Sequence, residues 1–426
     1  MTVTEHMLTI DKLGRRGEGV ALRGDSAVFV PFALPGEILR VAIEGERASV
    51  LETITASPLR IAPSCAHYGV CGGCAVGALE ESAYRDWKRD LVVSALANAK
   101  LAMDVAPLID AHGEGRRRAT FHARIDMGKA HVGFMQARSH DIVEIEVCPL
   151  LAPGLSGALA AARALAQTLA GPGKPLDIVA TATPQGLDLD LRGAGPLPDA
   201  LLAALTKSAE RLDLARLSNH GRLIVQRRRP VIEIGAAQAT PPAGGFLQAT
   251  RLGEETLAQL VGDATRTSKR IADLFCGFGA FALRLAAHAQ IYACDSDAAA
   301  IDALREAAHG LSGHKHVEAE TRDLFTRPLT KDELAPFDAV VFDPPRAGAE
   351  SQARELAASS VARVVAVSCN AQSFARDAAI LCAGDYAPCS VTPVDQFRFS
   401  PHVEIVAAFE KRAPARKKRS LLSQRR

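Results

Sequence analysis

The sequence has 426 residues, of which 48% are hydrophobic and 23% charged, so wholesale disorder is excluded and two or three globular domains are expected. There is no run of about 18 apolar residues and no basic start followed by an apolar core. We therefore expect neither a membrane span nor a signal peptide, and a cytoplasmic location. Nine cysteines in such a chain are expected to be ligands, nucleophiles or core residues and not disulfides.

The net charge of +2 hides a basic stretch at the end of the sequence. Residues 411–426 contain eight Lys or Arg and no acid, so the rest of the chain is acidic. We predict a basic tail over residues 412–426. It is either a solvated extension or one that binds phosphates, because clustered cations gain affinity by displacing counterions from nucleic acid.

Residues 1–57 have the pattern of a small β-domain. Short alternating runs at Met7–Ile10, Ala27–Val30 and Ile38–Ile43 are separated by glycine-rich turns. Five short strands at this spacing predict a small barrel of the oligonucleotide-binding type.

Residues 58–240 combine helical and strand patterns, which predicts an α+β central domain. Helices are predicted at Glu80–Ala99 and Leu155–Ala170, and strands at Asp177–Thr183 and Leu187–Leu191.

From residue 241 to 411 strands and helices alternate, and this alternation predicts an open parallel sheet with helices on both faces. The predicted strands are Arg270–Asp273, Ile291–Asp295, Ala339–Asp343 and Arg363–Val367.

A glycine loop follows the first of these strands and opens a helix. Gly277 and Gly279 let the backbone turn sharply and approach a ligand closely. Asp295 ends the next strand, where an acid can accept hydrogen bonds from both ribose hydroxyls. The order of strand, loop, helix and acid predicts a nucleotide-like cofactor, either a dinucleotide or S-adenosylmethionine.

S-adenosylmethionine is favoured over a dinucleotide at this loop. The full three-glycine dinucleotide fingerprint is absent, because no third glycine follows Gly279 at its spacing. An acid ends the first strand at Asp273, and a second acid, Asp323, is placed to face the adenine edge.

Asp343 ends a further strand in the motif VVFDPPRAG, at the edge where open α/β sheets bind ligands. Enzymes that methylate amines usually carry an aromatic residue where this chain has Arg346. The arginine argues against an amine target, and we predict that it contacts the substrate.

Two further side chains predict methylation of carbon-5 of uracil. Cys369 leaves a buried strand at the cofactor edge and is a candidate nucleophile. The segment Phe399–Phe409 predicts a strand with Glu404 inside an apolar run. Burial there can raise the pKa of a carboxyl group toward the range of a general base. A thiolate that adds to carbon-6 makes carbon-5 nucleophilic toward the sulfonium methyl group, and a base must then remove the carbon-5 proton.

Four cysteines have the spacing of metal ligands. Cys65, Cys71 and Cys74 lie within ten residues, and Cys148 follows far downstream. This spacing favours a cubane iron–sulfur cluster over a zinc site, which more often has two Cys-x2-Cys pairs, and over unligated thiols.

Together these motifs resemble the S-adenosylmethionine-dependent RNA uracil-5-methyltransferases, in the iron–sulfur branch that modifies 23S ribosomal RNA. DLFCGFGAF, DPPRAG, SCN and PHVE occur in the family's order, and the resemblance covers nearly the whole chain. It implies an α/β fold with a Rossmann-like class I methyltransferase domain over 241–411. It also implies a TRAM-type barrel over 1–57 and a central domain with a [4Fe–4S] cluster over 58–240.

The resemblance also implies site roles. It makes Cys369 the nucleophile, Glu404 the base and the four cysteines the cluster ligands. Gln248 matches a glutamine that contacts the cofactor, and Phe246 matches an aromatic residue beside the target base.

Further cofactor or active-site positions match Phe275, Asp295 and Asp343. Two positions depart from the family. Ala280 stands where many members have Asn, which puts one cofactor contact in doubt, and Asp295 stands where many have Glu.

The implied partner is RNA, with 23S ribosomal RNA as the first expectation, for a monomeric enzyme that does not bind membranes. Three alternatives remain: a transfer-RNA uracil-5-methyltransferase, a cytosine-5 enzyme, and a non-catalytic RNA-binding assembly factor on a methyltransferase fold. The joint presence of a candidate nucleophile, base and cofactor loop argues against the last.

Overall fold

The structure is a computed structural model that describes residues 4–24, 26–137, 139–169 and 175–412. The predicted basic tail lies outside the described residues from position 413 onward. Three sheets organise the described chain, one in the N-terminal region, one in the centre and one in the C-terminal half, and a two-stranded hairpin accompanies the last.

The N-terminal sheet is almost entirely antiparallel and has the strand order β1-β5-β6-β4-β3-β2. Its described strands are Thr4–Thr9 (β1), Lys12–Leu13 (β2), Gly19–Arg23 (β3), Ser26–Val30 (β4), Ile38–Glu44 (β5) and Arg47–Thr55 (β6). Alternate residues such as Leu39 and Val41 are buried in its core, as a period of two requires. The sequence predicted five strands, and the two-residue β2 is the addition.

The central sheet has seven strands in the order β10-β9-β8-β11-β12-β13-β14, with α2 and α3 packed together against it. Its elements are Arg118–Asp126 (β8), Lys129–Met135 (β9), Ile142–Glu144 (β10), Ala158–Leu169 (α2), Leu176–Thr183 (β11), Gly186–Arg192 (β12), Asp199–Arg211 (α3), Arg216–Asn219 (β13) and Arg222–Gln226 (β14). The helix predicted from Leu155 begins at Ala158, because Pro153–Leu155 form a separate 3-10 turn and Gly157 has a φ of 79°.

The C-terminal sheet has eight strands in the order β19-β18-β17-β20-β21-β23-β22-β7. Its strands are Ile109–Asp110 (β7), Arg270–Leu274 (β17), Gln290–Asp295 (β18), Val317–Thr321 (β19), Ala339–Phe342 (β20), Arg363–Ser368 (β21), Tyr386–Asp395 (β22) and Glu404–Lys411 (β23). The strands β17 to β21 are parallel, as predicted. The prediction of a wholly parallel sheet is wrong at one edge, where β23 runs antiparallel to both β21 and β22.

Helices cover both faces of this sheet. They are Glu81–Asn98 (α1), Arg251–Thr265 (α4), Ala282–Leu285 (α5), Ala298–His309 (α6), Lys331–Leu334 (α7), Glu350–Ala358 (α8) and Ala371–Ala383 (α9). Along β17, Ile271 belongs to the core on one face and Ala272 to the core on the other. Strands buried on both sides explain why the sequence shows continuous apolar runs here. In the described ranges, no helix is long and apolar enough to cross a membrane.

Three pieces from outside residues 241–411 pack on the C-terminal sheet. Helix α1 buries Val92 and Leu96 against α9 and β22, and β7 extends the sheet beside β22. On the other face lies a hairpin of Ile232–Ile234 (β15) and Ala237–Ala239 (β16). The division of the chain into domains at residues 57 and 240 stays a prediction, but the C-terminal core physically includes these earlier segments.

Candidate active site

Three of the predicted site residues lie at one edge of the C-terminal sheet. Asp343 follows β20 and Cys369 follows β21, so both stand at the carboxyl ends of parallel strands. Glu404 begins β23, and because β23 is antiparallel to β21, its start lies at the same edge. The register pairs Ser368 with Ile405, which places Cys369 and Glu404 beside each other at the strand ends.

The thiol of Cys369 is partly buried in front of helix α9. Burial, followed by the nearby carboxyl groups of Glu404 and Asp343, raises its pKa to about 11, while the guanidinium of Arg346 opposes them. Cys369 is therefore protonated in the resting protein. A positive charge that arrives with a ligand would favour the thiolate.

Glu404 is 3% exposed, and burial, followed by the nearby Asp343 carboxyl group, raises its pKa to about 8. Its Oε1 accepts a hydrogen bond of 3.0 Å from Nε2 of Gln396, which partly opposes the shift. A carboxyl group that titrates near neutral pH can take a proton and give it up again, as a general base must.

Two glutamines connect the carboxyl groups of the site. Nε2 of Gln396 also donates to Oε1 of Gln248 at 2.6 Å, and Nε2 of Gln248 donates to Oδ2 of Asp343 at 3.3 Å. The chain Glu404–Gln396–Gln248–Asp343 is thus continuous. Gln396 is fully buried and was not identified from the sequence, where the available signal was an uncharged polar residue directly after a buried strand.

The glycine loop after β17 has the left-handed backbone that the sequence predicted. Gly277 and Gly279 have φ values of 53° and 101°, and Phe275 between them and the strand has a φ of 61°. A Cβ on Gly279 would lie 2.5 Å from Leu304, so this glycine allows the loop to pack on α6. A Cβ on Gly277 would meet open space among the described residues, so the backbone there faces a recess.

Acids and aromatic rings surround that recess. Asp295 accepts hydrogen bonds from the backbone N–H of Gly277 at 3.0 Å and of Asp297 at 2.9 Å, which fixes its carboxylate beside the loop. The rings of Phe275 and Phe325 lie 5.5 Å apart. Phe325 was missed by the sequence analysis, although it lies two residues after the predicted Asp323.

Asp323 caps the turn that holds Phe325. Its Oδ1 accepts the Phe325 N–H at 2.9 Å and its Oδ2 accepts the Thr326 hydroxyl at 3.0 Å. The carboxylate therefore orders the aromatic pair whether or not it also meets a ligand. Ala280 is partly buried in the loop, and its carbonyl oxygen accepts from Arg284 at 2.6 Å.

Asp273 is fully buried at the end of β17, and neither of its carboxylate oxygens has a hydrogen-bond partner among the described residues. Burial raises its pKa to about 8, with Asp343 as the next cause. An unpaired buried acid is costly, so its position beside the glycine loop fits a cationic ligand. S-adenosylmethionine carries an ammonium and a sulfonium group, and these residues fit it.

A cavity of about 820 Å³ lies between the three sheets and opens next to the active-site edge. Phe246, which is 66% exposed, lines it together with Arg346. Arg346 donates to Nε2 of His402 at 3.0 Å, and burial lowers the pKa of His402 to about 4, so this histidine is neutral. Among the described lining residues are four arginines and one carboxylate, at positions 16, 116, 118, 346 and 18, so the cavity is suited to a polyanion.

The four predicted ligand cysteines all line the far end of this cavity. Burial, followed by the charges of Cys148, Cys71 and Cys65, raises the pKa of Cys74 to about 12, so these thiols are close enough to interact. Within the described ranges, however, no group of three or more His, Cys, Asp or Glu side chains is placed to hold a metal ion.

The strand order, the glycine loop and the acids at the ends of β17, β18 and β20 define the class of this protein. It has the class I fold of S-adenosylmethionine-dependent methyltransferases, and residues 248–366 match the methyltransferase small domain family. Over nearly the whole chain, the fold is similar to that of the Pyrococcus abyssi tRNA (uracil-54, C5)-methyltransferase in complex with S-adenosyl-L-homocysteine. The TM-score is 0.72 at 22% identity, and 95% of this chain and 100% of that chain are covered.

Relatives with higher identity identify the family. The chain is 46% identical over 404 residues to an uncharacterized RNA methyltransferase of Brucella suis, covering 95% of this chain and 97% of the relative. It is 32% identical over 432 residues to the 23S rRNA (uracil(1939)-C(5))-methyltransferase RlmD of Chromohalobacter salexigens, covering 96% and 90%. The chain therefore belongs to the RNA methyltransferases. The predicted methyltransferase fold, the S-adenosylmethionine cofactor and the enzyme class are confirmed.

Proposed function

We propose that this chain transfers the methyl group of S-adenosylmethionine to carbon-5 of a uridine in 23S ribosomal RNA. One observation carries the proposal: a thiol and a buried carboxyl group, those of Cys369 and Glu404, stand side by side at the edge of the sheet. An enzyme that methylates an amine or a hydroxyl group needs no such pair. The relationship to RlmD over 96% of the chain supports ribosomal RNA as the substrate.

The residues act in the following order. The sulfur of Cys369 adds to carbon-6 of uracil, and electron density moves to carbon-5. S-adenosylmethionine, when bound, supplies the methyl group that carbon-5 takes. Glu404 then removes the carbon-5 proton, the double bond between carbon-5 and carbon-6 re-forms, and the bond between carbon-6 and sulfur breaks. Cys369 leaves as a thiolate and takes up a proton to replace the one it lost before attack, while Glu404 gives up the carbon-5 proton, so the enzyme returns to its starting state.

The cofactor is held by the recess beside the glycine loop. Asp295 would accept hydrogen bonds from the ribose hydroxyls, and the backbone at Gly277 and Gly279 would leave room for the nucleoside. Phe275 and Phe325 provide an aromatic surface for the adenine, with Asp323 and Ala280 at the rim. Gln248 and Asp343 contact the methionine end, and each is already fixed by its hydrogen bond to the other.

The target uridine leaves its stack to reach Cys369, because its ring must be approached from both faces. Phe246, exposed in the cavity, stacks beside the base, and Arg346 contacts the RNA at the rim of the site. The N-terminal sheet is a TRAM-type barrel that holds the surrounding RNA. The enzyme acts as a monomer, since all these groups belong to one chain.

Cys65, Cys71, Cys74 and Cys148 are the ligands of a [4Fe–4S] cluster. A single zinc ion would need all four sulfurs about 2.3 Å from one centre, whereas the ligands of a cubane bind four different irons and lie farther apart. Four neighbouring thiols that line one cavity support the proposal of a cluster. The cluster would hold the loops of the cavity, and the methyl transfer requires no electron from it.

The experiment that tests the proposal incubates unmodified 23S ribosomal RNA and transfer RNA separately with labelled S-adenosylmethionine and maps the product. We expect 5-methyluridine in the ribosomal RNA. We also expect that Glu404→Gln stops at a covalent protein–RNA adduct, because the carbon-5 proton stays in place. Methylation of transfer RNA alone would overturn the substrate, and a methylated product other than 5-methyluridine would overturn the reaction.

A further inference from the structure

The loop between β22 and β23, residues 396–403, determines where the base stands. It begins with Gln396 and ends directly before Glu404. The loop therefore sets the positions of both residues in the hydrogen bond from Gln396 to Glu404. The loop has an irregular backbone. Phe399 has a φ of 61°, a conformation that residues other than glycine rarely adopt. Its shape therefore depends on the groups that hold it.

A fully buried lysine on α1, Lys88, holds both ends of this loop. Its ammonium donates to Oδ1 of Asp395 at 2.8 Å, to the carbonyl oxygen of Phe397 at 3.2 Å and to the carbonyl oxygen of His402. An ammonium group has three donors, and all three are used on one segment of chain. The Asp395 carboxylate and the His402 carbonyl oxygen are thus both held by the ammonium nitrogen of Lys88.

Tyr84, one helical turn before Lys88, supports the same arrangement. Its hydroxyl donates to the other carboxylate oxygen of Asp395 and accepts the backbone N–H of Phe399 at 3.0 Å. The carbonyl oxygen of Phe399 in turn accepts from the backbone N–H groups of Ala75 at 2.8 Å and Val76 at 3.2 Å. The loop is therefore held between α1 and the segment that follows Cys74.

Ordering the loop does not by itself require a buried charge at Lys88. Taking an ammonium and a carboxylate out of water costs several kcal/mol per ion, and apolar residues of similar volume often replace such pairs without loss of stability. The charge does affect Glu404, because it lowers the pKa of that carboxyl group. Lys88 and Arg346 lower the pKa of Glu404, against burial and the Asp343 carboxyl group, and the Cys369 thiol is a further titratable neighbour. Around Lys88 itself stand Asp395, Tyr84, His402 and Glu404.

We propose that Lys88 is a positioning residue for the methyl transfer: its ammonium orders residues 395–402 and favours the carboxylate form of Glu404 when the carbon-5 proton is removed. The inference rests on the proposed role of Glu404. In that step the carboxylate takes the proton, the electrons of the C–H bond form the double bond between carbon-5 and carbon-6, and sulfur leaves as the thiolate of Cys369. Loss of Lys88 therefore affects the resolution of the adduct and leaves its formation intact.

The test compares full-length wild type, Lys88→Met and Glu404→Gln in single turnovers on unmodified 23S ribosomal RNA between pH 6 and pH 9.5. Covalent adduct and 5-methyluridine are measured in each reaction. We expect Lys88→Met to accumulate at least about five times more adduct than wild type at pH 7, because an opposite charge close to an acid shifts its pKa by about one unit or more. The excess disappears as the pH rises by one to two units. A Lys88→Met profile that matches wild type at every pH overturns the inference.

Two further variants separate positioning from folding. Lys411→Met removes a lysine that donates to two carbonyl groups, of Ala357 at 2.9 Å and Gly384 at 2.7 Å, at the opposite end of β23 from Glu404. We expect its pH profile to match wild type, and a shift equal to that of Lys88→Met would overturn the inference. If Lys88→Met alone fails to fold, the double variant Lys88→Met/Asp395→Leu removes the unpaired acid and must show the same shift.

The proposed function can fail separately. If Glu404→Gln traps no adduct and wild type makes no 5-methyluridine, the reaction itself is wrong. If Glu404→Gln traps the adduct and Lys88→Met behaves as wild type, only the role of Lys88 is wrong.

Discussion

Two regions of the molecule, the catalytic end at the edge of the C-terminal sheet and the cysteine end in the large cavity, are built in different ways. At the catalytic end, Asp343, Cys369 and Glu404 are placed by the ends of regular strands whose register is fixed by backbone hydrogen bonds. At the cysteine end, Cys65 to Cys74 lie in a loop that is held by scattered backbone contacts, such as Gly72 N–H to the Met135 carbonyl oxygen at 2.9 Å. A sheet positions reacting groups by itself, whereas the cysteine loop needs cross-links, and we propose that the cluster provides them.

The largest expected effect is at the catalytic end. Cys369→Ala should lower methyl transfer by at least about 1000-fold, because carbon-5 of uracil is inert without the thiolate adduct. The thermal midpoint should stay close to that of wild type, since the side chain is small and only partly buried. Labelled methyl transfer and thermal unfolding measure the two quantities. Cys389→Ala, which removes an exposed thiol, is the matched control and should retain full activity.

The second expected effect is at the cysteine end, where the substitution should affect folding and not turnover. Cys74→Ser should reduce the yield of folded protein and its iron content severalfold, while the folded fraction keeps most of its turnover. Iron analysis, soluble yield and single-turnover rates distinguish the two ends. Normal yield and stability with selective loss of turnover would show that the cluster takes part in the chemistry.

The sequence predicted the catalytic end well because periodicity locates strands, and strands locate their end residues. Cys369, Asp343 and Asp295 follow apolar runs that can only be buried strands, and the structure places all three at one edge. Gln396 and Lys88 could not be predicted in the same way. Each makes a hydrogen bond to a residue more than one hundred positions away. From the sequence alone, a lysine on an amphipathic helix would be predicted to lie on the surface.

The edge of the sheet shows a second limit. The sequence indicated a strand from Phe399, but the strand begins at Glu404 because residues 396–403 are held out as a loop by Lys88 and Tyr84. The side-chain and backbone contacts that override the local pattern are long-range. The first residue of β23 is Glu404, the proposed base. The predicted start of this strand was therefore wrong in the segment that leads into the site.

The third expected effect concerns the glutamine bridge. Gln396→Leu removes the donor that contacts both Glu404 at 3.0 Å and Gln248 at 2.6 Å. A hydrogen bond to a charged group contributes about 1.5–3 kcal/mol, so the rate of methyl transfer should fall by about 10- to 100-fold. Gln259→Leu on the exposed face of α4 is the control. Equal rates for both variants would show that the bridge has no catalytic role.

The smallest expected effect is on stability. The pKa of Glu404 is about 8 in the folded protein and 4.5 as an unperturbed group, so the folded state binds the extra proton between these values. Its contribution to stability is full below pH 4.5 and is lost as the pH rises toward 8. Glu404→Gln does not titrate. It should melt within about 1 °C of wild type near pH 4.5 and a few degrees higher at pH 8.5. A difference that stays constant across this range would contradict the raised pKa.

The most direct test of the reaction uses ribosomal RNA that contains 5-fluorouridine, in which the fluorine at carbon-5 cannot be removed as a proton. With S-adenosylmethionine present, wild-type protein should become covalently attached to this RNA, and mass spectrometry should find the pyrimidine on the peptide that contains Cys369. If the RNA is never attached at that residue while the methyl donor is bound, the sulfur forms no bond to the ring and the account is contradicted.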